Sequence, residues 1–271
     1  MLGMLRDAEL IHGDGTFGVT PKIFAQFYTI HGLIGPSQAV RRTVPLVFAL
    51  MERKTQAAYE TLFDEVVLLS DTEPSGVMLD NEQASVQAAA RVFANSHISG
   101  CLFHLGKCIW RQVQANGLQS AYAQSSSAHS SVGRDFSEKV RMLAALALLP
   151  EDEIVDAFVD LKNSFPQQAL PIANWFEGRG WARTNNVVEG WHNRLRVLCG
   201  VSHLGLFRFL EKIQLEGVAI EADLDDMLSG GVRKRRKKDE TKDRRIRNIV
   251  AGRNNMSRLD YLRSIANCLK F

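Results

Sequence analysis

The run Gly76-Val77-Met78-Leu79 is apolar after its glycine and ends on Asp80. It is too short for a helix and shows no polar alternation, so it reads as a strand covered on both faces. A strand of that kind requires a sheet with helices on its two sides. It also places Asp80 at its C-terminal end, where open α/β sheets carry their sites. The preceding segments supply the rest of the sheet. Glu9 to His12, Phe24 to Ile34 and Val44 to Met51 are rich in β-branched, aromatic and aliphatic residues, and Gly, Pro and polar turns separate them. They predict three strands in a meander. Lys54 to Leu69 then sets Ala58, Leu62, Val66 and Leu69 on one helical face, as a crossover helix would.

The same reading continues the alternation. Asn81 to Asn95 is alanine-rich and helical, Ile98 to Phe103 is a fifth strand, and Leu105 to Asn116 is a helix with Leu105, Ile109 and Val113 on one stripe. The predicted order is β-β-β-α-β-α-β-α. Ser-rich Gln119 to Gly133 is expected to be a loop, after which only helical patterns appear. Phe136, Val140 and Leu143 form one stripe, and Ile154, Phe158 and Leu161 another. A later helix has Val188, Trp191, Leu195 and Leu198 on its apolar side, with Glu189, Asn193 and Arg196 opposite. Ser202 to Glu216 and Arg258 to Leu269 predict two more helices. The expected organisation is a core at 1–118, a Ser-rich loop and all-α insertion at 119–182, helices completing the core at 183–230, and a basic linker with a short terminal helix at 231–271.

A chain of 271 residues with 45% apolar content can bury one large core or two modest ones. No apolar run approaches the roughly 18 residues of a membrane span, and the N-terminus lacks a signal-peptide apolar segment. An intracellular protein with no membrane attachment is expected. Cys101, Cys108, Cys199 and Cys268 are too few and too unevenly placed for a disulfide framework, which predicts reduced thiols. The net charge of +3 conceals an asymmetry: Arg233 to Arg247 holds ten Lys or Arg against three acids, a local +7, leaving about −4 elsewhere. Within it, Arg233, Lys234, Arg235 and Arg236 open a run that reads as a solvated linker, a nuclear-import signal or a phosphate-binding segment. Import would place the protein in the nucleus.

Three acids stand in distinctive settings: Asp14 in Gly-Asp-Gly-Thr-Phe, Asp80 at its strand end, and Glu189 in Thr-Asn-Asn-Val-Val-Glu-Gly-Trp-His-Asn-Arg. Such a carboxylate set suits two hard cations, Mg²⁺ or Mn²⁺, held roughly 3.5 to 4 Å apart for phosphoryl chemistry on nucleic acid. Each acid also has a local explanation. Asp14-Gly15 is a hairpin-turn dipeptide, and Asp80 and Glu189 both fit capping boxes. Lys107 and Arg111 lie one turn apart, and Arg194 and Arg196 follow Glu189; these are candidate DNA-backbone contacts or solvated helix faces. Trp191 is expected in the core.

Six segments in order carry a resemblance: Asp14-Gly-Thr-Phe, Phe-Tyr-Thr-Ile-His-Gly, Val-Pro-Leu-Val-Phe-Ala-Leu-Met, Leu79-Asp80-Asn-Glu, Cys101-Leu-Phe-His104-Leu-Gly-Lys-Cys-Ile-Trp and Asn185-Asn-Val-Val-Glu189-Gly-Trp-His-Asn-Arg. Together, across roughly residues 9 to 217, they resemble the transposase domain of Mutator-like elements. The resemblance implies a ribonuclease H-like α/β core with an all-α insertion before the helix bearing the third acid. It implies Asp14, Asp80 and Glu189 as catalytic acids and metal ligands, DNA as partner, and Mg²⁺-dependent cleavage by water followed by strand transfer from the exposed 3′-hydroxyl. A family Cys-x2-His pair falls on Cys101 and His104. These two either form a structural pair beside the acids or, with Cys108 and His192, a zinc site. The first strand begins too near the N-terminus for the zinc-finger DNA-binding domain that members usually carry. Two rival readings follow: a non-catalytic, host-retained DNA-binding or protein-interaction domain, and a zinc-stabilised interaction module. Self-association into a homo-oligomer is left open.

Overall fold

The computed structural model describes residues 1–35, 41–80, 82–127, 135–178, 189–231 and 237–269, with the side chains of Glu189, Asn193, Lys238 and Asp239 outside that description. The chain forms two compact units, Met1–Cys101 with Asn185–Arg233, and Leu102–Thr184 with Lys234–Phe271. The first holds α1 (Leu2–Arg6), β1 (Leu10–Thr16), β2 (Gln26–Ile34), β3 (Arg42–Met51), α2 (Gln56–Ser70), β4 (Gly76–Leu79), α3 (Gln83–Val92) and β5 (His97–Gly100). The chain then enters the second unit through α4 (Leu102–Ala115), α5 (Gln119–Ser127), α6 (Asp135–Ala145), α7 (Glu151–Asn163) and α8 (Leu170–Glu177). It returns to the first with α9 (Glu189–Cys199) and α10 (Leu206–Leu228), and ends in the second with α11 (Lys237–Ala251) and α12 (Arg258–Ala266).

The five strands form one mixed sheet in the order β3-β2-β1-β4-β5. β1 is antiparallel to β2 and parallel to β4, and β5 is parallel to β4. The fold is α/β. Alternation along β2 sends Tyr28 and Ile30 to one face, where they join Tyr59 and Phe63 of α2 and Ala88 and Ala89 of α3. Phe27 goes to the other face and packs with Leu195 and Cys199 of α9 and Phe209 of α10. Each such fully buried large side chain contributes about 1.5 to 3 kcal/mol.

Several boundaries differ from expectation. β1 runs past His12 to Thr16, and Asp14 lies inside it opposite Thr29, which removes the hairpin-turn reading of Asp14-Gly15. The flanking glycines serve close packing instead. A Cβ at Gly13 would collide with the Tyr28 hydroxyl, and one at Gly15 with the Gln26 side chain. β5 stops at Gly100, because Leu102, Leu105 and Ile109 already follow a helical stripe into the core of the second unit. Gln119–Ser127 is a helix, where a loop was expected. Tertiary packing overrides the weak helix propensity of its serines: Tyr122 is buried edge-on to Trp110, and Ser125 Oγ accepts from the Ser137 backbone N–H at 3.0 Å. The rest of that stretch, 128–133, lies outside the described residues. In the basic segment, the described part from Lys237 is helical and packs Ile246 and Ile249 against the second unit's core. No disulfide joins the four cysteines.

Candidate active site

Gly13 of β1 is in register with Leu79 of β4 on a parallel ladder. Asp14, inside β1, and Asp80, just past the end of β4, are therefore neighbours on adjacent strands, which lie about 4.8 Å apart. Asp14 is buried, at 4% exposure. Burial, and then the neighbouring Asp14 charge, push the Asp80 carboxyl up from 3.8 to about 7, with Glu82 adding to the rise. Asp80 Oδ1 accepts from the Glu82 backbone N–H at 3.4 Å and from Ser85 Oγ at 3.2 Å, which opposes the shift. Asp80 thus touches the start of α3 without being its N-cap residue, a position held by Glu82. Glu82 itself is committed elsewhere, with Lys54 Nζ at 2.8 Å and the Tyr59 hydroxyl donating at 3.1 Å.

On the other side of Asp14 stands a chain of buried polar groups. His192 Nδ1 lies 3.1 Å from Asp14 Oδ2, and His192 Nε2 lies 3.2 Å from Thr29 Oγ1. Thr29 Oγ1 is in turn 3.0 Å from His31 Nε2. His31 is held well below the usual histidine range by burial, then by His192 and His12, so its ring is neutral. His12 is likewise lowered to about 4 by burial.

Helix α9 is anchored by the residues around His192. Trp191 Nε1 donates to Glu216 Oε1 at 3.0 Å, and its ring stacks on Phe48 at 5.8 Å. Leu195 and Cys199 enter the apolar cluster around Phe27. Glu189 is the first residue of this helix; its side chain and all of Val188 lie outside the described residues. The structure therefore brings two of the three predicted acids together and locates the third by backbone alone. Among the described residues, no three His, Cys, Asp or Glu side chains group as a metal site.

The remaining candidates divide. Cys101 stands between β5 and α4, and His104 lies in the first turn of α4, half-buried and edge-on to Phe103 at 5.6 Å. Lys107 and Arg111 are exposed on α4, with Lys107 Nζ 4.0 Å above the Phe103 ring. Arg194 pairs with Glu216 at 3.2 Å and Asp223 at 3.7 Å, and both Arg194 and Arg196 are exposed. Arg233, Lys234, Arg235 and Arg236 lie outside the described residues. Sequence reasoning missed Thr29, His31 and Glu216. A signal for the first two existed: polar residues at alternate positions of β2 match His12 and Asp14 of β1 in register.

A mixed α/β sheet of this order, with two carboxylates on neighbouring positions of its adjacent parallel strands, is compatible with a ribonuclease H-like fold. Residues 10–108 match the family model of the MULE transposase domain. That segment runs from β1 into α4 and contains Asp14 and Asp80; the predicted resemblance extended further, to residue 217, and the match does not reach Glu189. No curated protein matches the chain.

Proposed function

We propose that this chain carries a ribonuclease H-like transposase core that cuts DNA and transfers the cut strand, with Asp14, Asp80 and Glu189 as its acids. The observation that carries the reading is the parallel register that sets buried Asp14 beside part-buried Asp80 within the matched transposase segment. Carboxylate oxygens are the donors Mg²⁺ or Mn²⁺ prefer, and a divalent cation offsets the repulsion that raises Asp80, so the described donors fit such an ion. Asp14 and Asp80 would hold it, with Glu189 as the further ligand. When bound, the cations supply charge neutralisation and activation of the attacking oxygen. The protein's own part is to keep the carboxylates desolvated and fixed at one sheet edge, so that little reorganisation is needed at the moment of reaction. DNA would be held through its phosphates by exposed cations such as Arg196, Lys107 and Arg111.

The test is nicking of supercoiled DNA by the purified chain with Mg²⁺ or Mn²⁺. Metal-dependent nicking that disappears in Asp80→Asn while DNA binding persists supports the enzyme. DNA binding with no nicking in the parent chain favours the non-catalytic, host-retained domain, for which the exposed arginines Arg244, Arg245 and Arg247 of α11 are an available surface.

A further inference from the structure

His192 sits where packing alone would favour an apolar residue. It is 6% exposed, on the helix face that also buries Leu195 and Cys199. Burying an imidazole costs least when both ring nitrogens find partners, and at His192 both do. The partners fix its tautomer. A carboxylate only accepts, so Nδ1 facing Asp14 Oδ2 carries the proton, and Nε2 is left facing the Thr29 hydroxyl, whose proton the Asp14 backbone carbonyl at 3.4 Å also accepts. Thr29 Oγ1 in turn accepts from Nε2–H of neutral His31. Four residues of the sheet and helix are thus linked in series, from His31 through Thr29 and His192 to Asp14.

His192 also lies one helical turn after Glu189 on α9, while Asp14 is on β1. The contact that orients Asp14 is therefore also a strut between the strand carrying the first acid and the helix carrying the third. We propose that His192 is a positioning residue: held in one tautomer by Thr29 and His31, it fixes the Asp14 carboxylate and docks the helix of Glu189 beside it. This rests on the Asp-Asp-Glu reading above. Outer partners that orient a ligating carboxylate in this way typically affect metal affinity by 10- to 100-fold.

The test uses the whole chain, with Mn²⁺ as the probe, its binding followed by electron paramagnetic resonance, and the imidazole tautomer read by nitrogen-15 NMR. Thr29→Val keeps the shape of the side chain and removes the middle of the relay. It is expected to mix the His192 tautomers and weaken Mn²⁺ binding by about 10-fold, and Thr29→Ser to restore both. His192→Asn, whose amide still donates to Asp14, is expected to retain more affinity than His192→Gln. Thermal unfolding of each variant separates lost affinity from lost fold. Unchanged Mn²⁺ affinity in Thr29→Val and His192→Gln, or a wild-type His192 protonated at Nε2 and bare at Nδ1, overturns the proposal. Failure of the wild-type chain to bind Mn²⁺ at all removes the Asp-Asp-Glu reading and this proposal with it, an outcome distinct from binding that the variants leave untouched.

Discussion

Replacing Asp80 by Asn removes a charge from beside Asp14 and keeps an oxygen that can accept from the Glu82 N–H and Ser85 Oγ. The folded protein raises the Asp80 carboxyl from 3.8 to about 7. Because the folded value lies above the unfolded one, the native state binds the proton more tightly. Asp80's favourable contribution is complete below pH 4, shrinks as pH rises, and is gone once pH passes the folded value near 7. A shift of about 3 pH units at 1.36 kcal/mol each sets an upper bound of about 4 kcal/mol. Between pH 5 and pH 8 the wild type should lose about 2 to 3 kcal/mol relative to Asp80→Asn, or several degrees in Tm. The assay is thermal or urea unfolding of both proteins in chelator at the two pH values. The variant should be the more stable at pH 8, with a much smaller advantage at pH 5, and Mg²⁺ should narrow the gap at pH 8 by stabilising only the wild type. A stability difference that stays constant from pH 5 to pH 8 would refute the reasoning and leave Asp80 as a helix-start residue only.

Three further outcomes are expected. Gly13→Ala drives a methyl into the Tyr28 hydroxyl and the Leu79 side chain, and should destabilise by about 1 to 3 kcal/mol; Tyr28→Phe in the same chain should recover part of that loss in a double-mutant cycle of urea midpoints. If Lys107 and Arg111 contact phosphates, replacing both by Gln should weaken binding to all DNA sequences alike and reduce the slope of log affinity against log salt by about two; an unchanged slope assigns them to the solvated face of α4. Deleting 233–238 from a tagged protein should shift it from nucleus to cytoplasm, and unchanged nuclear accumulation would refute an import role for that run.

The sheet and the placing of Asp80 at a strand end were legible because the signals that specify them are local. A non-alternating run at 76–79, runs rich in β-branched, aromatic and aliphatic residues before it, and a helical stripe between them are each sufficient to type an element. The boundaries that failed were those decided by distant partners. Gln119–Ser127 is a helix because Tyr122 and Ser125 face a core supplied by α4 and α6, and no property of a serine run reports that. Asp14 failed in another way: Gly on both sides imitates a turn, although the glycines are there to let Tyr28 and Gln26 lie across the strand.

The neighbourhood of Asp14 shows why a site is harder to read than the fold that bears it. Thr29 and His31 are ordinary strand residues one at a time. Their meaning comes from register, which sets Thr29 opposite Asp14 and His31 opposite His12, and from a helix that begins more than 150 residues later and lowers His192 between them. Pairing across strands and helix docking are properties of the folded chain, fixed by the burial of Phe27, Leu195 and Phe209 together. The same physics ties stability to function here. The apolar contacts that seat α9 also force a histidine, a threonine and a carboxylate into one dry space, where the hydrogen bonds between them offset the cost of burial. A change that loosens that apolar seat, such as Leu195→Ala, should therefore cost about 2 to 5 kcal/mol in stability and should also disorder the His192 contact to Asp14. Tautomer mixing at His192 in that variant, seen by the same nitrogen-15 measurement while the sheet remains folded, is the expected result; a His192 signal identical to wild type would show that the polar chain holds itself in place without the apolar seat.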